Sequence, residues 1–121
     1  YAGAGYTKRF VKGFDAVARE IKRGRPVTLI AGPDDICAGL VGRRRARHCF
    51  SDDVKTRDRG ARRDFRKRAP ELFTTVTLTP ARIARMRRLY RSNAIRTGCA
   101  ACGWKKFCDS LVAKDFAGCK I

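Results

Sequence analysis

Acidic residues are scarce in this chain: 11 aspartates and glutamates stand against 29 lysines and arginines, for a formal net charge of +18 and a pI near 10.7. That shortage excludes the evenly mixed surface of an ordinary small domain, whose net charge has a magnitude of roughly 2 to 8. It predicts a polyanionic partner, RNA ahead of DNA and both ahead of a membrane surface. Long apolar runs are also missing. The longest, Val27 to Ala31 with Thr28 inside it, falls well short of the roughly 20 residues a membrane span needs, so no membrane partner is expected. His48 is the only histidine, and although it precedes Cys49, side chains of adjacent residues seldom face each other as nucleophile and base. With no recognisable catalytic constellation, the chain reads as a non-enzyme with no small-molecule substrate. A second Cys-x2-Cys is absent, which counts against a four-cysteine zinc ribbon. Neither a glycine–aromatic sheet signature nor a Gly-x-x-Gly clamp is present, so RNA recognition is expected through shape and backbone. The first residue is Tyr1 rather than methionine, and an N-terminal segment is expected to have been removed.

What is present begins with cysteine. Three of the 6 cysteines fall within ten residues as Cys99-x2-Cys102-x5-Cys108. Two intervening residues let a backbone knuckle aim both sulfurs at one centre, and Cys108 returns on the next turn. This spacing favours metal over disulfides and places the chain in a reducing compartment, either a mitochondrial matrix or a bacterial cytoplasm. The fourth ligand is expected from Cys37, Cys49 or Cys119, or from His48 in a mixed site, with Cys37 best fixed by its preceding turn. Cys119, two residues from the last residue, reads as a frayed free thiol. Thiolates serve iron and zinc alike, so the expected cofactor is an iron–sulfur cluster, of the 4Fe-4S type, or alternatively zinc. Trp104 and Phe107 lie inside the cysteine loop and would shield the site from water.

Along the 121 residues, one domain over 1–121 is expected. Phe10, Phe14, Val17 and Ile21 recur at helical spacing between a Thr7 cap and a Gly24 stop. Pro26–Ala31 is short and β-prone and ends in the turn Gly32-Pro33-Asp34-Asp35. Ser51-Asp52-Asp53 opens a helix to about Arg68 with a weak apolar stripe of Val54, Ala61 and Phe65. Thr74–Leu78 is β-prone, and Thr79-Pro80 starts a helix to about Ser92 with Ile83, Met86 and Leu89 or Tyr90 inward. Gly98 releases the chain into the cysteine cluster, and Phe107–Ala113 forms a short closing helix. The fold class is therefore α+β and mostly helical: a small domain with short strands, stapled by a cysteine-ligated metal site because its core is thin.

Gly32-Pro33-Asp34-Asp35-Ile36-Cys37, His48-Cys49, Val54 with Arg57-Asp58, and Cys99-x2-Cys102-Gly103-Trp104 with Cys108 resemble the successive signatures of a small uncharacterised family of bacterial and archaeal proteins suspected to bind an iron–sulfur cluster. The resemblance runs from Gly5 to Ile121. It implies a metal site with Cys37, Cys49, Cys99, Cys102 and Cys108 as ligand candidates, and it implies no reaction. Three departures accompany it: a leading segment with paired histidines and a further cysteine is missing, Leu40 stands where some members carry a cysteine, and the chain is far more basic than the family.

The basic charge is grouped. Arg43, Arg44, Arg45 and Arg47 form an apparent loop; Lys55 to Arg68 holds eight cations, among them Arg62, Arg63 and Arg66; Arg82, Arg85, Arg88 and Arg91 repeat every three residues. Like charges at helical spacing repel unless phosphate neutralises them, and arginine suits bidentate phosphate contacts. All eleven of these arginines are nucleic-acid-binding candidates, with Arg82, Arg85 and Arg88 expected to serve no packing role. The function expected is a metal-stapled structural subunit of a large ribonucleoprotein, an organellar ribosome first, contacting rRNA and neighbouring proteins. The alternatives are an iron–sulfur redox or cluster-carrying protein and a nucleic-acid-modifying enzyme.

Overall fold

A computed structural model describes residues 1–41 and 49–121. Slightly more than half of these are helical when 3-10 turns are counted, and the α-helices among them are α1 (Lys8–Lys22), α2 (Asp52–Arg68), α3 (Pro80–Arg91) and α4 (Lys105–Ala113). Two short 3-10 turns, Pro70–Phe73 and Thr97–Cys99, follow α2 and α3 respectively.

The helix starts are dictated by local chemistry. Thr7, Ser51 and Thr79 each accept a hydrogen bond from the backbone N–H three residues on, satisfying a donor that the first helical turn leaves open. Asp52 and Asp53 add negative charge at the positive end of α2, and Pro80 supplies a preset φ at the first position of α3. Gly24, at φ +79°, takes the left-handed conformation that ends α1.

The two β-prone segments meet at only one isolated antiparallel bridge, Val27 with Val76, closed by reciprocal N–H···O bonds of 2.8 and 2.9 Å. A further bond runs from Leu29 N–H to the Leu72 carbonyl at 2.8 Å. The short strands expected from the sequence thus reduce to a bridge among the described residues. Two lone segments without a third strand or full cover make a marginal ladder, and Leu29 and Ile30 are left exposed.

The core is as thin as the composition implies. Ala18, Ile21, Ala69, Leu72 and Ile95 are its buried hydrophobic residues, and no large side chain among the described residues is fully enclosed. Phe65 from α2, Met86 and Tyr90 from α3, and Leu111 from α4 surround a shared apolar cavity of about 410 Å³.

Elements approach most closely where side chains are absent. A methyl group on Gly98 would lie 2.6 Å from the Arg57 carbonyl oxygen, and one on Gly60 would lie 3.2 Å from the Gly98 nitrogen. The Thr97–Cys99 turn therefore rests directly on the α2 backbone. Beside this contact, buried Asp64 accepts hydrogen bonds from Thr97 N–H at 2.8 Å and Thr97 Oγ1 at 2.9 Å. Gly98→Ala should force this contact apart, at a cost of about 1–3 kcal/mol for overpacking. A melting temperature lower by at least ~4 °C in a circular dichroism scan is the expected outcome; an unchanged melt would show that the turn is free to move.

Candidate functional site

Cys37, Cys49 and Cys99 lie in one cavity with Gly98, delivered by separate elements, whereas Cys108 and Cys119 line another. Asp34 Oδ1 accepts from the N–H groups of Ile36 (3.0 Å) and Cys37 (3.3 Å), forming a side-chain-closed turn that fixes Cys37. A methyl on Gly13 would fall 2.6 Å from the Ile36 carbonyl oxygen, so α1 packs its backbone against this same turn. Cys37 and Cys49 are hydrogen-bonded neighbours, and with Cys99 they line one cavity of about 640 Å³ whose other walls are largely apolar, including Phe10, Leu40 and Val54.

Cys99 and Cys108 both face the Tyr90 hydroxyl, which sits 3.9 Å from Cys99 Sγ. Burial, then hydrogen bonding to Cys108, holds the Tyr90 hydroxyl well above its ordinary pKa, so it is a neutral donor among thiols. Cys102 takes a different partner: Arg57 Nη1 donates to its Sγ at 3.5 Å. Arg96 lies over the Tyr90 ring at 4.5 Å and pairs with Asp109. Its Nε is buried without a partner among the described residues. Trp104 meets Tyr6 and Phe107 edge-on, as a shield over this end would.

All six cysteines are free thiols. Among the described residues no three of His, Cys, Asp and Glu form a group able to hold a metal ion. The thiols are chemically suited to iron or zinc, but no three of them converge among the described residues: the Tyr90 hydroxyl is the neighbour of Cys99 and Cys108, and the Arg57 guanidinium bonds Cys102. His48 lies outside the described residues. Cys119 belongs to a held chain end rather than a frayed one: Lys120 N–H donates to the Tyr1 carbonyl at 2.7 Å, Lys120 Nζ reaches Asp15, and Tyr1 stacks on Phe14.

The candidate arginines divide into two sets. Arg82 donates to the Thr77 carbonyl at 2.8 Å, Arg85 bonds Glu71 and the Arg68 carbonyl, and Arg91 pairs with Asp115. The expectation that Arg82 and Arg85 serve no packing role is thereby corrected. Their guanidiniums stitch α3 to the segments before it, because a thin core leaves carbonyls and carboxylates at its edge for long donors to reach. Arg88 is exposed and bears no ion pair. On α2, Arg62 and Arg66 lie over the Phe73 ring at 5.6 Å each, and Arg63 is exposed. Arg43, Arg44, Arg45 and Arg47 lie outside the described residues.

A second concavity, about 820 Å³, runs along α2 and is lined by Lys55, Arg59, Arg62, Arg63, Arg66 and Lys67. Its opposite wall is Ala31, Gly32, Pro33 and Phe50, the last an aromatic 49% exposed. Sequence reasoning found these cations but missed Phe50, Asp64 and Tyr90 as parts of the site.

In a comparison with protein families, residues 5–108 match the model of a family described as a protein of unknown function (DUF1284). No curated protein and no solved structure matches the chain.

Burial, reinforced by the adjoining Cys49 thiol and opposed by a hydrogen bond from the Asp34 backbone, pushes the Cys37 thiol up to about 11. Only the thiolate is alkylated, so Cys37 in the folded protein should react with iodoacetamide at pH 8 at least ~10-fold more slowly than in urea. The rate should climb as pH approaches 11. Mass spectrometry of timed samples reads this directly, and fast labelling at pH 8 would contradict the burial.

Proposed function

The chain belongs to the DUF1284 family, and from its structure we propose that it is an RNA-binding structural subunit of a ribonucleoprotein assembly, with the furrow along α2 as its RNA-contacting surface. The observation that carries this reading is the alignment of six cations on one concave face. On a helix, Arg59, Arg63 and Lys67 recur every four residues and so lie one above another. All three are exposed, and none has an ion-pair partner among the described residues, Arg59 donating only to the Thr56 hydroxyl. Such a row is self-repelling in isolation and becomes favourable once phosphates sit against it. A polymer that repeats its phosphates along one direction is the anion best matched to a linear row of cations. A mitochondrial ribosome is the assembly first in view, where basic proteins fill gaps between rRNA and neighbouring subunits.

A second reading, favoured by the lining of one cavity by Cys37, Cys49 and Cys99, assigns the thiols to an iron–sulfur cluster or zinc. It would require the Tyr90 hydroxyl and the Arg57 guanidinium to move aside. Iron, sulfide and zinc analysis of anaerobically purified protein, with its absorbance spectrum, tests it. Metal lost on Cys99→Ser and kept on Cys119→Ser would support it.

For the RNA reading, affinity for structured RNA should fall with salt at a log–log slope of roughly −0.7 to −0.9 per neutralised phosphate. Replacing Arg59, Arg63 and Lys67 together by glutamine should flatten that slope by about two units while leaving the thermal melt unchanged. Filter binding across a salt series measures both. A flat slope in the parent protein would remove the RNA reading.

A further inference from the structure

The furrow along α2 and the cysteine-lined cavity adjoin, with Gly32, Pro33, Cys49 and Asp58 lining both. One half is walled by cations and the other by apolar side chains. Duplex RNA presents phosphates but no free base faces, so it would use only the first half. A single strand presents both, a charged backbone and bases able to turn away from it.

Asp58, at the junction, is the anomaly. In the middle of the most basic helix, between Arg57 and Arg59 and one turn from Lys55 and Arg62, its carboxylate forms no ion pair or hydrogen bond among the described residues. Neighbouring cations are engaged elsewhere, Lys55 with Asp52, Arg59 with Thr56 and Arg62 over the Phe73 ring. A free carboxylate in a phosphate-binding furrow weakens backbone binding, so its position there calls for a donor other than a cation. The Watson–Crick edge of guanine supplies two parallel N–H donors, N1–H and the N2 amino group, which a carboxylate accepts together. Cytosine and adenine offer one amino donor, and uracil offers a single imino N–H. Phe50, exposed on the furrow wall, provides a ring face for a neighbouring base.

We infer that the adjoining furrow and cavity bind single-stranded RNA with one guanine turned into the apolar cavity and its Watson–Crick edge held by Asp58. This rests on the RNA reading above and adds to it a strand form and a base preference.

Fluorescence anisotropy with labelled eight-nucleotide RNAs tests it: oligouridine carrying one central guanosine, the same strand with inosine, which lacks the N2 amino group, all-uridine, and a guanosine-containing duplex. The guanosine strand should bind roughly tenfold more tightly than the inosine strand and more tightly than the duplex. Asp58→Asn should abolish that preference while raising affinity for the all-uridine strand, because a charge opposing phosphate is gone. Asp58→Glu, which keeps the charge and moves the oxygens, should lose the preference without that gain, and serves if the asparagine variant melts early. Equal binding of guanosine and inosine strands, a preference that survives Asp58→Asn, or duplex binding as tight as the single strand overturns the inference alone. Absence of salt-dependent binding to every RNA overturns it together with the RNA reading. A stoichiometric metal that disappears in Cys37→Ser protein would fill the cavity and overturn it as well.

Discussion

The contact between the Gly60 and Gly98 backbones, locked by the Asp64 carboxylate on Thr97, fixes where everything of interest sits. It lays the cysteine-bearing turn on the middle of α2, so that the helix carrying the row of exposed cations also contributes to the wall of the thiol-lined cavity. A buried carboxylate is costly unless its acceptor capacity is used, and here two hydrogen bonds from one threonine use it. In a chain with so few acids, one of them is spent on architecture rather than on neutralising the surrounding arginines.

Much of the helical layout was legible in the sequence, because each start carries its own signal. Threonine and serine caps, a proline at the first helical position and a glycine stop are local features whose geometry does not depend on the rest of the fold. The β-prone segments misled for the converse reason. Val27 and Val76 pair as expected of β-branched residues, but a ladder needs neighbours on both sides, and that is a property of the whole molecule.

The site was legible by residue type and not by arrangement. Cysteine spacing points to convergence on one centre, yet spacing is blind to side chains arriving from other elements. Tyr90 comes from α3 and Arg57 from α2, and each places a polar group against a sulfur that the sequence shows only as one cysteine among others. Charge was misread in the same way. Arginines at regular spacing on α3 look alike along the chain, but Arg82 and Arg85 reach acceptors in the preceding segment while Arg88 does not. Among the α3 arginines of the repeat, Arg88 alone forms no ion pair or hydrogen bond among the described residues.

The thin core has a consequence for how folding and binding depend on each other. With no large side chain fully enclosed and a row of unpaired cations along α2, part of the folding free energy is opposed by repulsion within the native state itself. An anion that neutralises this row is thermodynamically linked to folding, since it binds the folded form better than the unfolded chain. Simple salt then acts in two opposed senses. It screens the repulsion and steadies the free protein, yet it would compete for the same cations with any polyanion set against them. A chain so charged is thus suited to one ionic condition when free and would be suited to another once its cations were neutralised.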